Sequence, residues 1–118
     1  MIKPPSSMER VSNMLQVICL QARLEILLAI GNSETCVCHL EAVLGYRQAY
    51  ISQHLMALRE AGLLSTRRDG RYIYYRLKKP ETMEMVNLAA RLAGVDVAVM
   101  ITRTNQSSAA CECPRCSL

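Results

Sequence analysis

The chain contains no tryptophan and no phenylalanine. Readers of unpaired RNA or single-stranded DNA stack bases on aromatic side chains, so that class is disfavoured from the outset. No apolar run approaches the roughly 18 residues that a membrane-crossing helix requires, and nothing resembles a signal peptide. A cytoplasmic protein without a membrane partner is expected. No histidine or acid accompanies a cysteine at a recognised catalytic spacing, which argues against an enzyme. A strong excess of one charge is lacking too. The formal net charge of +4 permits nucleic-acid binding without demanding it, so where the basic residues sit matters more than their sum.

The 118 residues suit one domain with a real core, small enough for oligomerisation to help it. Six cysteines in a reducing compartment speak for metal or redox chemistry over a disulfide framework. The chain is organised around residues 35–62, TCVCHLEAVLGYRQAYISQHLMALREAG. Thr35 can cap a first helix, Val37, Leu40 and Leu44 repeat along it, and Gly45 offers a left-handed end. A second helix carries Ile51, Leu55 and Leu58 on one side, with Gln48, Ser52, Gln53 and Arg59 outside that stripe. A short helix, a tight turn and a longer helix with a polar outer face is a helix-turn-helix, whose second helix enters the major groove of double-stranded DNA.

Before this core, Ser6 and Glu9 form a capping box. Val11, Met14, Leu15, Ile18, Cys19 and Ala22 then make a wide apolar stripe, in which Cys19 reads as a core residue. Residues 23–30 form a second helix ending at Gly31. After the core, residues 63–66 and 71–77 read as strands around the turn signal Asp69-Gly70. A hairpin directly after a recognition helix is a wing, and its tip carries Arg67, Arg68 and Arg71. Pro80 opens a last helix. Residues 83–93 are apolar nearly all round, more than so small a domain can bury alone, which predicts a homodimer through the first and last helices. The expected fold is mainly α with a β-hairpin wing, a winged helix-turn-helix domain over 6–103. A polar linker and a cysteine-rich tail, ending CECPRCSL, follow over 104–118.

The runs ARLEILLAI, ETCVCHLEAVLG, RQAYISQHLMALREAGLL and RRDGRYIYYRL together resemble the ArsR/SmtB family of metal-sensing winged-helix repressors. The resemblance implies a homodimer that binds a palindromic operator near its own promoter and releases it when a metal or metalloid binds. The CVC sequence is similar to the thiol box of arsenite- and cadmium/lead-responsive members. Three departures stand out. Glu41 takes the place of a third cysteine found in arsenite sensors of the best-known type, and His39 stands where aspartate is common. The last helix has no histidine over residues 83–94, so the interfacial zinc site of zinc-sensing members is absent.

Cys36 and Cys38, as first and third residues of a helix, would sit where free N–H groups favour the thiolate. Residues two apart on a regular helix point about 200° from each other. Two sulfurs on one ion must lie within about 4 Å, given metal–sulfur bonds near 2.3 Å, so joint ligation is expected to unwind or tilt the first turn. Further ligands are expected from Cys111, Cys113 and Cys116, and the seven residues from Thr104 can reach about 23 Å. A site of Cys36 and Cys38 with one or two tail cysteines, across the dimer, is the expectation. Three thiolates suit As(III), and four suit Cd(II), Pb(II) or Zn(II). The alternative trigger is thiol redox, with Cys36 or Cys38 joined to a tail cysteine by a disulfide or polysulfide link. For DNA, Gln48, Ser52 and Gln53 suit base edges, and Arg47, Tyr50 and His54 suit backbone contacts. Arg67, Arg68 and Arg71 are wing-to-phosphate candidates.

Overall fold

A capping box starts the first helix where the sequence places it. The Ser6 hydroxyl accepts the Glu9 N–H at 3.1 Å, and the Glu9 carboxylate accepts the Ser6 N–H at 3.3 Å. In the computed structural model, residues 2–98 are described. Among these residues five helices and three short strands follow one another: α1 (Ser7–Ile18), α2 (Gln21–Ile30), β1 (Thr35–Cys36), α3 (Val37–Leu44), α4 (Gln48–Glu60), β2 (Leu64–Asp69), β3 (Tyr72–Leu77) and α5 (Glu81–Leu92). The tail with Cys111, Cys113 and Cys116 lies outside the described residues.

Helix α2 is the centre of the fold. Ile26, Leu27, Leu28, Ala29 and Ile30 are all buried, so its last turn or so has no solvent face. It packs on Leu40 of α3 and on Ile51, Leu55 and Leu58 of α4, and Leu63 and Leu64 close the core where β2 begins. Burying each such aliphatic side chain contributes on the order of 1.5–3 kcal/mol, which makes this cluster the main source of stability. Gly45 ends α3 at φ 78°, where only glycine is unstrained, and turns the chain into α4 after two residues.

The sheet is antiparallel in the order β1-β3-β2. At the wing tip Asp69 faces Tyr72, so the two loop residues are Gly70 and Arg71, one position beyond the Asp69-Gly70 signal. Gly70 has φ 60° and among the described residues no non-glycine has positive φ, the pattern of a type II′ hairpin turn. β1 was not expected. Two residues carry no readable alternation, and this strand exists because Thr35 pairs with Tyr75 and Cys36 with Tyr74. Thr35 therefore lies in a strand, and Cys36, not Thr35, occupies the cap position of α3.

Helix α5 is only partly buried within one chain. Thr82, Val86 and Ala90 face inward, while Leu88 and Leu92 are 51% and 83% exposed. On α1, Met8, Val11 and Leu15 are likewise exposed. Cys19 is exposed as well, at the end of α1 rather than in the core, its thiol donating to the Gln16 carbonyl at 3.2 Å. Among the described residues no single helix is long and apolar enough to cross a membrane.

Candidate functional site

The extended backbone of Cys36 (φ −86°, ψ 163°) decides the geometry of the thiol pair. Because Cys36 precedes the helix and Cys38 is its second residue, the two side chains converge, and their sulfurs lie 3.0 Å apart at hydrogen-bond distance. This corrects the expectation of a helix that must unwind to bring them together. Two thiolates on a tetrahedral ion sit about 3.8 Å apart, so the pair has to open by under about 1 Å and the helix can stay wound. Cys36 is buried and Cys38 half-buried.

Two clefts flank the pair. One of 470 Å³ is lined by Ile30, Glu34, Thr35, Cys36, His39 and Tyr74 among others. Burial holds the His39 imidazole below its ordinary pKa, which keeps it neutral near pH 7. The other cleft, of 250 Å³, joins Cys36 and Cys38 to Gln48 at the start of α4 and to Arg71 and Tyr72 at the wing tip. The sulfurs thus sit in the wall between the helix-turn-helix and the wing. No three His, Cys, Asp or Glu side chains among the described residues stand together as metal ligands.

The residues expected at DNA fall into three groups. Arg47, Gln48, Tyr50 and Gln53 are exposed on or beside α4, and Ser52 is half-buried at the edge of that face. Arg68 and Arg71 are exposed on the wing, where Arg71 stacks 5.2 Å from the Tyr72 ring centre and donates to its hydroxyl at 3.0 Å. His54 and Arg67 are engaged elsewhere. His54 is only 8% exposed; its Nδ1 accepts from Arg23 Nε at 3.0 Å, and the same guanidinium donates to the Val17 carbonyl at 2.9 Å. Burial first, and then the Arg23 charge, hold the imidazole pKa down. With Nδ1 accepting, the neutral ring carries its proton on Nε2, an atom with no partner in the structure. His54 thus ties α4 to α2, with little of its surface left facing solvent. Arg67 turns back over the sheet, its Nε donating to Glu34 Oε2 at 2.7 Å.

Two outward residues escaped the sequence reading. Ala49 and Met56 lie with Gln53 opposite Ile51, Leu55 and Leu58, and Met56 is 60% exposed. The 100° rotation per residue places Met56 on this outer face. No sequence signal marks Glu34, whose partner lies 33 residues away.

A family model described as "Bacterial regulatory protein, arsR family" matches residues 21–66, the span from α2 to the first half of β2. Over 75 residues the chain is 47% identical to the arsenic resistance transcriptional regulator ArsR1 of Pseudomonas putida, covering 64% of this chain and 56% of that protein. The chain thus spans little more than half the length of that relative. To ArsR2 of the same organism, also an arsenic resistance transcriptional regulator, it is 39% identical over 87 residues, 74% of this chain and 70% of that protein. Among solved structures, NolR from Sinorhizobium fredii superposes with a TM-score of 0.69 at 30% identity, covering 80% of this chain and all of that one. The order of helices, the wing and the sequence match agree: the chain belongs to the ArsR/SmtB family of winged-helix transcriptional regulators, which are not enzymes.

Proposed function

We propose that this chain is a transcriptional repressor that binds operator DNA as a homodimer and lets go when a thiophilic ion is taken up by its cysteines. The observation that carries the reading is the 3.0 Å sulfur pair, placed where β1 runs into α3 and opening on a cleft that reaches Gln48 and Arg71. Two cysteine sulfurs already brought together would, once both are reduced, select soft ions, and the two arsenic resistance regulators similar to this chain point the same way. Cys36 and Cys38 supply two ligands and the tail cysteines Cys111, Cys113 and Cys116 the rest. As(III) is satisfied by three thiolates, and Cd(II), Pb(II) or Zn(II) by four. The exposed apolar residues of α1 and α5 form the dimer contact.

DNA reading falls to Gln48, Ser52 and Gln53 at base edges, with Arg47 and Tyr50 beside them and Arg68 and Arg71 of the wing on phosphates. Release follows from placement. Opening the sulfurs shifts β1 against β3 and the start of α3 against the start of α4, which alters the spacing between recognition helix and wing. A gel-shift titration on promoter DNA with As(III), Cd(II), Pb(II) and Zn(II), repeated on a chain ending at Ala110, tests this. Release by at least one ion, weakened by the truncation, is expected. Binding to DNA indifferent to all four ions defeats the sensing half.

A further inference from the structure

The geometry points to Glu34 and Arg67 as positioning residues that strap the thiol site to the wing, an inference that rests on the sensing function proposed above. Arg67 lies on β2, an outer strand, and its neighbour in register across β3 is Tyr74. On the other side of β3, Tyr74 pairs with Cys36 of β1. The Arg67 guanidinium crosses the Tyr74 ring at 4.7 Å from its centre and reaches the Glu34 carboxylate at 2.7 Å. Glu34 stands two residues before Cys36. A closed loop results: Cys36 to Tyr74 by the sheet, Tyr74 to Arg67 by stacking and register, Arg67 to Glu34 by an ion pair, and Glu34 back to Cys36 along the chain.

The loop matters because β1 is so short. Two residue pairs hold it to β3, and a pull on Cys36 could be absorbed by peeling them apart. The strap removes that escape, since Glu34 is tied past β3 to β2. Movement of Cys36 then carries Arg67 with it, and with Arg67 the whole outer strand of the wing. Successive residues of a strand face opposite sides. Arg67 can therefore lie over the sheet while Arg68 beside it stays exposed for phosphate, so the residue that feels the thiol site is covalently next to one that meets DNA. An arginine is well suited here, because its planar guanidinium can stack on a ring and pair with a carboxylate at once.

The test uses the full chain with Glu34→Gln and Glu34→Asp, leaving every expected DNA contact in place. Amide hydrogen exchange in the ion-free proteins comes first. E34Q should exchange several-fold faster over residues 64–77, and E34D should stay near the wild type; unchanged exchange in E34Q overturns the strap. Cd(II) affinity is then read from thiolate-to-metal absorption, and DNA affinity by anisotropy on a duplex selected by the wild-type protein from a random pool. The expected result is Cd(II) affinity within about twofold of wild type, with the Cd(II)-induced loss of DNA affinity cut about tenfold in E34Q and restored in E34D, within the range of common coupling factors. Full release by E34Q overturns the strap while leaving the sensing function intact. Wild-type protein that binds Cd(II) yet keeps its duplex overturns the sensing function, and the ion-free exchange still decides the strap.

Discussion

The interior around α2 and the corner around Cys36 are built on opposite principles. The interior is aliphatic and dry: Ile26, Leu27, Leu40, Ile51, Leu55 and Leu58 are fully buried. The corner is polar and hollow, with two clefts, a two-residue strand, a thiol pair and one ion pair. A close-packed interior resists change at every atom, whereas a corner held by a few specific contacts has somewhere to move. On the function proposed above, the division would let one small chain keep its recognition helix rigidly mounted while the cysteine pair and the wing shift relative to it.

The contrast can be broken by damaging each region in turn. Leu55→Ala, in the dry interior, should cost about 3 kcal/mol of stability by urea unfolding, with DNA binding lost through unfolding alone. Cys38→Ser, in the half-buried corner, should leave the urea midpoint close to wild type but reduce ion-induced release by at least about tenfold, since an alcohol is a poor ligand for soft ions. Arg68→Ala should leave both stability and ion response intact. It should weaken binding to all duplexes by a similar small factor and flatten the salt dependence by about one unit, as for the loss of one phosphate contact.

The smallest effect concerns pH. Burial and the Arg23 charge keep the pKa of His54 below its ordinary value, and burial does the same for His39. The unfolded chain therefore binds protons that the native state refuses. This contribution to stability is complete above about pH 6.5 and is lost as pH falls through the native-state values. His54→Asn, whose amide can accept from Arg23 without titrating, should lessen the fall in stability between pH 7 and 5.5. An unchanged slope removes His54 as its source.

Much of the interior was legible in the sequence, and the corner was not. Ser6 with Glu9, the Gly45 cap and the apolar spacing of α4 are local signals, each contained within a few residues, and each is realised. β1, by contrast, owes its existence to Tyr74 and Tyr75, some forty residues away. Without it Cys36 reads as helical, and the thiols are placed on opposite sides of a cylinder. The intramolecular partners of His54 and Arg67 went unread for a related reason. Both are polar residues on elements with an outer face, and only the fold brings Arg23 to the one and Glu34 to the other. The dependence on distant partners marks the region where movement is possible.

One property of the Glu34–Arg67 pair has a bearing on the conditions under which the protein can work. The Arg67 side chain is 51% exposed, so dissolved electrolyte reaches the contact. Under the function and the strap proposed above, rising salinity would erode two things together: the grip of the wing on the double helix, and the fidelity with which an occupied cysteine site is reported to that wing. A repressor whose message crosses a wetted ion pair has a narrower working range of ionic strength than one whose message crosses oil.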